Sequence, residues 1–429
     1  MFNRKTLAMM VGLILGSIGA ASASPDAATL PTTAPTKPLV ITDFGAVADG
    51  KTLNTKAIQK AIDAAATTGG GTIVIPSGTF LTGAIFLKAG VGLQVDGVLK
   101  GSTNTADYPM VPTRIEGHAT TWLAALVNAD GVDHLRIGGT GTLDGSGAVF
   151  YDAFHTRHDA DKSTKNLDVP RPRMVYVANC ADVQITGVHF LNSGFWNLQI
   201  FNSHDVLVEG LDIQAPGNSP STDGIDIDSS QNVTVHRCRI ENNDDGIALK
   251  GSKGPTAMDQ KDILPDEHIH IYECDFDRSG TMLTCGSEAT IVRDVEVDHC
   301  KAVGTGPHTI IRLKLRTDTP QLYENIRFHD ITLLGKGAII EVAPWTQYAD
   351  LQGHAPPTHK VQDVTLSNIT GAFGSFGSIK SNRGDVIQNL TLENFDVQLT
   401  RGVPAFGGVT NLTVKNVKVN GKDYTAPAQ

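Results

Sequence analysis

The sequence predicts an all-β chain that coils into a single-stranded right-handed parallel β-helix with a short N-terminal capping helix. First, short runs of alternating apolar and polar residues recur along the chain, which is typical of strands. Second, these runs return at intervals of 23, 27 and 22 residues, starting at Val175, Leu198, Ile225 and Ile247. Third, helical spacing is almost absent from the repeats. Self-similarity at this period indicates stacked rungs.

The N-terminal residues carry the pattern of an export signal. Two basic residues precede an apolar run over residues 7–20, and small residues follow it. The run is short for a membrane anchor, which is the alternative. We expect residues 1–23 to be a signal peptide, residues 24–38 a mobile lead-in, and residues 39–429 a single parallel β-helix domain. The mature protein is then secreted or periplasmic, is not bound to a membrane, and is expected to be a monomer.

One segment before the strands has helical spacing. Over residues 54–68, apolar residues recur three and four positions apart, at Ala57, Ile58, Ala61, Ile62 and Ala65. A helix there would cover the open N-terminal end of the core, which a solenoid needs for solubility. The stretch GGGTIVIPSGTFLTG then begins the strands. After the first four repeats, later copies are predicted to start near Leu283, Ile311, Ile339, Ile379 and Phe406.

Composition excludes some functions. The chain has 429 residues and a formal net charge of -10, and no basic patch dominates, which argues against a nucleic-acid partner. Five cysteines without a C-x-x-C pair make a zinc site unexpected. We predict no cofactor for the chain. We expect most of these thiols to be buried, with at most one or two disulfides. The asparagines of four sequons are expected to be structural turn residues: Asn232, Asn368, Asn389 and Asn411.

Two neighbouring rungs carry carboxylates in register. The stretches STDGIDID and NDDGIALK align at an offset of 22, which stacks Asp223 on Asp245. Neighbouring strands lie about 4.8 Å apart, so two such carboxylates must face water or a ligand. Asp244 points in another direction. The alternative is that these aspartates only cap strand ends.

Three carboxylates near one surface suit hydrolysis of a sugar linkage. One carboxylic acid protonates the leaving oxygen, and a carboxylate activates water from the opposite side. We assign the acid to Asp244, with its pKa raised by its neighbours, and the water to Asp223 and Asp245. On the strand IIRLKLRTD, Arg312 and Lys314 face the same way and could hold the carboxylate of an anionic sugar. A solvated cationic face is the alternative there.

At these blocks the sequence resembles glycoside hydrolase family 28, the polygalacturonases and their relatives. STDGIDID is similar to the family's N-T-D block, NNDDGIALKG to its double-Asp block, and RLK to its R-I-K block. The resemblance implies an inverting, metal-free hydrolase of galacturonic-acid-containing pectic polysaccharide or oligosaccharide. It implies that Asp244 is the acid, that Asp223 and Asp245 hold the water, and that Arg312 and Lys314 bind the sugar carboxylate. Tyr348 falls where the family often has a substrate-contacting tyrosine; the alternative is that it only packs near a tryptophan. Lys250 is also predicted to bind substrate.

Two departures from the family pattern bear on the substrate. Thr281 replaces the histidine of the G-H-G block, and Ser221 replaces the usual asparagine. Both suggest a related substrate, such as rhamnogalacturonan or xylogalacturonan, or short oligomers. The insertion at residues 252–267 is expected to narrow the cleft and favour attack at chain ends, unless it is only a surface loop.

Two other functions are compatible with the same fold. A pectate-type polysaccharide lyase would abstract a proton next to a carboxylate, commonly with calcium. A non-catalytic β-helix would only bind polysaccharide. The paired aspartates and the R-x-K strand favour hydrolysis over both.

Overall fold

The computed structural model describes residues 38–260, 264–402, 406 and 408–425. Over these residues, parallel strands stack rung upon rung, and the predicted parallel β-helix is confirmed. The predicted signal peptide and nearly all of the predicted lead-in lie outside the described residues. Among the residues described, no helix combines the length and apolar character needed to cross a bilayer.

Two helices and the first strands form the N-terminal part. The helices are α1 (Thr55–Thr67) and α2 (Ala148–Ala160). The strands are β1 (Leu39–Val40), β2 (Asp49–Leu53), β3 (Gly71–Ile75), β4 (Thr79–Thr82), β5 (Ile85–Phe86), β6 (Val91–Val95), β7 (Val98–Gly101), β8 (Met110–Ile115) and β9 (His118–Leu123). Of these, β8 and β9 form an antiparallel hairpin that stands apart from the coil.

The middle rungs contain three short strands each. They are β10 (Val127–Asp130), β11 (Arg136–Gly138), β12 (Thr142–Asp144), β13 (Val175–Ala178), β14 (Ala181–Thr186), β15 (His189–Leu191), β16 (Leu198–Phe201), β17 (His204–Glu209), β18 (Asp212–Gln214), β19 (Ile225–Asp228), β20 (Gln231–His236), β21 (Arg239–Glu241), β22 (Asp245–Lys250), β23 (Asp266–Tyr272) and β24 (Asp275–Phe276).

From residue 321 onward, the second and third strands of each rung merge into one longer strand. The remaining strands are β25 (Ser279–Cys285), β26 (Ile291–Asp298), β27 (Lys301–Ala302), β28 (Pro307–Arg316), β29 (Gln321–Leu334), β30 (Ala338–Trp345), β31 (His359–Phe373), β32 (Ser375–Ile379), β33 (Val386–Leu399), β34 (Val409–Val419) and β35 (Lys422–Asp423).

One ten-stranded parallel sheet carries the predicted site. Its order is β5, β10, β13, β16, β19, β22, β25, β28, β30 and β32. The predicted rung starts are in register from Val175 through Ile311. The starts predicted at Ile339 and Ile379 are shifted by one and two residues, because Ile311 pairs with Ile340 and Ile340 with Gly377. Ile339 and Ile340 are both buried, so apolarity alone does not identify the inward residue.

The predicted N-terminal helix is confirmed, and a second helix was not predicted. Helix α1 buries Ile58, Ala61, Ile62 and Ala65, the face expected from the spacing, against β1, β3, β5 and β6. Helix α2 buries only Phe150 and Tyr151. Because it lacks a repeating apolar stripe, its sequence gives no helical signal.

The sequon asparagines are structural turn residues and the cysteines are buried, as the sequence predicts. Asn232, Asn368, Asn389 and Asn411 all have left-handed backbone conformations, which asparagine tolerates. Their side-chain amides donate to an Asp or Asn one rung earlier, at 2.7–3.0 Å. All five cysteines are buried free thiols. This agrees with the expectation of buried thiols and at most one or two disulfides.

Candidate active site

The three predicted catalytic aspartates converge on one cavity of about 270 Å³ above the ten-stranded sheet. Ile225 pairs with Ile247, so Asp223 and Asp245 sit on adjacent rungs at the predicted offset. The Gly224 amide donates to the Asp245 carbonyl at 3.0 Å, which extends the ladder to the aspartates. The cavity is lined by Glu116, Asn166, Trp196, Ser221, Asp223, Asp244, Asp245, Lys250, Ser287, Glu288, Arg312, Lys314, Trp345, Gln347 and Tyr348.

A buried lysine holds Asp223. Lys250 Nζ lies 3.0 Å from an Asp223 oxygen and 3.4 Å from an oxygen of Asp226, which lies deeper. The same ammonium stands 4.7 Å from the ring centre of Trp196. Although burial disfavours the ammonium, Asp223 and Asp226 raise the pKa of Lys250 well above its ordinary value. Burial, reinforced by the charge on Asp223, raises the pKa of Asp226.

A second lysine and two hydroxyls hold Asp245. Lys314 Nζ lies 2.8 Å from Asp245 Oδ2, and the hydroxyls of Thr281 and Thr284 donate to Oδ1 at 3.2 and 2.9 Å. Burial alone would raise the pKa of Asp245. The charges of Lys314 and Lys250 outweigh it and lower the pKa to about 2. Asp245 is therefore an anion at any physiological pH.

Asp244 has the opposite environment. Its Oδ1 accepts a hydrogen bond from the Asp245 backbone amide at 2.9 Å, and no cation lies on it within the described chain. Burial is the largest cause that raises its pKa to about 7, and the charges of Asp223 and Asp245 add to it. The cluster therefore places one protonated carboxyl beside an ionised carboxylate. Neighbouring groups whose pKa values are pushed apart in this way are suited to acid and base roles.

The predicted cations divide between two tasks. Arg312 lines the cavity, with Nε 3.0 Å from Glu341 and Nη1 4.0 Å from Asp245, so part of its guanidinium faces the open space. Lys314 and Lys250 each bind an aspartate, which was not foreseen when they were predicted as substrate ligands. Arg316 lies two residues beyond Lys314 on the same strand. It is fully buried, and its Nε lies 2.7 Å from Asp318, whose carboxylate neutralises the guanidinium.

Two loops meet at one wall of the cavity. The Asn166 amide donates to the Tyr348 hydroxyl at 3.3 Å, and the Asn166 side chain accepts from Ser221 at 2.9 Å. Asn166 precedes β13 and Tyr348 follows β30, strands that lie six positions apart in the ten-stranded sheet. At about 4.8 Å per strand, the contact joins elements roughly 29 Å apart across the site. Ser221, the departure from the family asparagine, supports this wall.

The β8–β9 hairpin forms a further wall. Glu116 at its turn lines the cavity and lies 3.6 Å from Lys253, in the insertion that follows β22. Gly117 has φ 78°, and a Cβ there would lie 2.8 Å from that of Lys253 and 3.0 Å from that of Glu288. The insertion was expected to narrow the cleft itself. In its described part it packs against the hairpin, and the cavity-lining residues of the described chain come from other segments.

The sequence did not predict many of the residues that line the cavity. Glu116, Asn166, Trp196, Glu288 and Trp345 line the cavity, yet most come from the hairpin or from loops between rungs. These segments do not repeat, so no periodic signal identifies them. Burial disfavours the Glu288 anion, but Lys250 and Lys253 lower its pKa to about 2.

Comparison with known proteins places this geometry in a family. The sequence profile of "Glycosyl hydrolases family 28" matches residues 66–424. An exopolygalacturonase of Zea mays is 34% identical over 344 residues, which cover 77% of this chain and 76% of that protein. A probable polygalacturonase of Vitis vinifera is 33% identical over 221 residues, 49% of this chain but only 43% of that protein. The crystal structure of a hyperthermoactive exopolygalacturonase from Thermotoga maritima superimposes with a TM-score of 0.81, covering 91% of this chain and 93% of that one at 24% identity, which shows a shared fold.

Proposed function

Because the chain belongs to family 28 of the glycosyl hydrolases, we propose that it is a polygalacturonase-type hydrolase that cleaves the galacturonic-acid linkages of pectin. The matched relatives are polygalacturonases by name, which supports this substrate class. The observation that carries the proposal is the aspartate cluster: one carboxyl with a pKa of about 7 beside a carboxylate with a pKa of about 2, in a cavity edged by Arg312. A sugar acid brings the carboxylate that such a guanidinium binds.

In the proposed reaction, Asp244 donates its proton to the glycosidic oxygen as the bond breaks. Asp223 and Asp245, held in place by Lys250 and Lys314, bind a water molecule and take its proton as it attacks the sugar from the opposite face. Arg312 and Tyr348 bind the substrate at the cavity edge. The lysines act on the sugar through the aspartates they hold. The mechanism is inverting if the first product formed has the anomeric configuration opposite to that of the substrate linkage.

The test is an assay of pectic substrates that separates the three possible functions. Homogalacturonan, rhamnogalacturonan and xylogalacturonan are incubated with the protein, and reducing ends and ultraviolet absorbance are both followed. We expect new reducing ends without absorbance on at least one substrate. Reducing ends accompanied by absorbance would indicate a lyase and contradict hydrolysis. Binding without either signal would indicate a non-catalytic protein.

We propose that the enzyme attacks chain ends. The contact between Asn166 and Tyr348 on one wall and the Glu116 turn on another surround the aspartates, and a cavity of about 270 Å³ lies below the usual range of about 300–1,000 Å³ for small-molecule sites. A long polymer lying across the site would have to displace the loop contact. The small volume of the cavity supports a terminal sugar as the occupant.

Opening the wall should change the products. In Tyr348→Ala, loss of the ring and of the Asn166 contact is expected to add oligomers to a product mixture that is mainly monomer in the parent protein. Tyr348→Phe keeps the ring and removes only the hydroxyl that accepts the Asn166 hydrogen bond, so it separates the two contributions and should give fewer oligomers than Tyr348→Ala. Product lengths are measured by anion-exchange chromatography at low conversion. A ladder of oligomers from the parent protein itself would contradict chain-end attack.

We further propose that Thr281, which stands in place of the family histidine, and Thr284 orient Asp245. Both hydroxyls donate to Asp245 Oδ1 and lie 2.8 Å from each other, in a fully buried setting. A hydrogen bond to a charged group contributes about 1.5–3 kcal/mol.

Thr284→Val is therefore expected to lower kcat about tenfold or more with little change in KM, since about 1.4 kcal/mol corresponds to a factor of ten. Valine keeps the volume and removes the donor. Thr284→Ser restores the donor and should recover most of the rate. Steady-state kinetics on the best pectic oligomer measure both variants. Equal losses in the valine and serine variants would show that packing matters at this position and that the hydrogen bond does not.

Export of the mature protein as a secreted or periplasmic monomer remains a proposal. Its support is the signal-like pattern over residues 1–23, which precede the described residues. Cell fractionation with N-terminal sequencing of the mature chain, followed by sedimentation, tests location, cleavage and oligomeric state.

A further inference from the structure

A group of metal-ligating side chains lies away from the cavity, on the outer surface of β26 and β29. These strands belong to a different sheet from the ten-stranded one. Glu296 and Asp298 are two residues apart on β26 and so face the same side, and Asp298 is paired across the sheet with His329 of β29. One oxygen of each carboxylate and one ring nitrogen of His329 lie within 4.8 Å of one another.

The surroundings of His329 point to a cation at this place. Its Nδ1 lies 2.8 Å from Asp330 Oδ2, and its Nε2 lies 3.0 Å from Glu296 Oε1. A neutral imidazole has one N–H and can donate to only one of these two oxygens. The second nitrogen would then direct a lone pair at a carboxylate, which is unfavourable unless a proton or a metal ion lies between them. A carboxylate on the far nitrogen is also the usual support for a metal-bound histidine.

The two carboxylates are held in place by other groups. His270 Nε2 lies 2.6 Å from Asp298 Oδ2, and His299 Nδ1 lies 2.5 Å from Oδ1. Arg327 lies 3.4 Å from Glu296 Oε2, which leaves Oε1 directed at His329. Asp298 is nearly buried, so its position is set by the packing of the rung.

We propose that Glu296, Asp298 and His329 bind a divalent transition-metal ion, with water filling the remaining positions. Two carboxylates balance the charge of the ion, and an imidazole ligand favours zinc, copper or nickel over calcium or magnesium. The ion joins two consecutive rungs, so its role is to stabilise the stack. The site is independent of the proposed pectin hydrolysis, since these residues are not in the cavity.

The experiment is zinc titration of the full chain, purified without a histidine tag and treated with chelator. Isothermal titration calorimetry is expected to show one Zn²⁺ bound per chain, and one equivalent should raise the melting temperature. Asp330→Asn keeps all three ligands and removes only the negative charge of the group that supports His329 Nδ1, so affinity should fall about 10–100-fold. Glu296→Gln removes a ligand and should fall at least as far. Circular dichroism verifies that both variants fold.

The matched control is His204→Gln, which alters a surface histidine that pairs with one carboxylate, Asp205. It should bind zinc as the parent chain does. The proposal is overturned if the parent chain binds no zinc at one equivalent, or if Asp330→Asn and Glu296→Gln bind it as tightly as the parent. It is also overturned if His204→Gln weakens binding as much as they do, since binding would then be spread over surface histidines.

Discussion

Replacing Asp244 with asparagine is expected to lower kcat by about 10²–10⁴-fold, the usual contribution of a positioned general acid. The side chain keeps its shape but can no longer donate a proton to the leaving oxygen. Asp244 is suited to this role because burial and the charges of Asp223 and Asp245 keep it protonated up to a pH of about 7. In the parent enzyme, activity should accordingly fall as the pH rises through about 7.

Two measurements distinguish loss of the acid from general damage. A substrate with an activated aryl leaving group needs little protonation, so Asp244→Asn should retain far more of its activity on that substrate than on a pectic oligomer. Asp396→Asn, an exposed aspartate on β33, should behave as the parent on both. If Asp244→Asn loses activity equally on the two substrates, protonation of the leaving group is not its function.

The same substitution carries a stability signature. Between the ordinary pKa of 3.8 and about 7, the folded chain keeps the Asp244 proton that the unfolded chain has lost. The folded state then binds more protons, so its free energy of unfolding falls as the pH rises across this window. Asparagine removes that dependence. Asp244→Asn should therefore gain stability relative to the parent as the pH is raised from 4 to 8, measured by urea unfolding.

The repeat explains how much of this site the sequence could predict. Asp223, Asp244 and Asp245 lie in two consecutive rungs with a clear register, and a fixed offset of 22 residues is enough to bring them together. Arg312 and Lys314 lie on a later strand of the same sheet, so alternation predicts which way they face. Each of these predictions depends on how consecutive rungs stack, and the spacing of the repeats in the sequence gives that stacking directly.

What the sequence could not predict depends on contacts that do not repeat. The Asn166–Tyr348 contact joins residues 182 positions apart, and Lys314 meets Asp245 over 69 positions. The Asn166–Tyr348 contact depends on the conformation of two loops. The Lys314–Asp245 contact depends on which nearby carboxylate the lysine side chain reaches. Arg316 shows the same limit, because its spacing matches that of Lys314 while Asp318, two residues away, binds it inside the fold.

Replacing Lys250 with methionine is expected to destabilise the protein by about 3–5 kcal/mol near neutral pH, the cost of breaking a buried ion pair. Methionine has nearly the same length, so the change removes the charge and preserves most of the packing against Trp196. Asp223 then loses the ammonium that lay 3.0 Å away and remains beside Asp226, whose pKa burial already raises. Without the lysine the buried pair favours its protonated forms, so turnover should also fall sharply, because Asp223 holds the attacking water.

Urea unfolding at pH 5 and pH 8 measures the effect and its origin. The loss in Lys250→Met should be larger at pH 8, where keeping a buried carboxyl protonated costs more. Adding Asp226→Asn removes one of the two carboxyls and should recover part of the lost stability, without restoring activity. The matched control is Lys415→Met, which breaks an exposed pair with Glu393 and should cost less than about 1 kcal/mol. Equal costs for Lys250→Met and Lys415→Met would contradict a stabilising buried ion pair between Lys250 and Asp223.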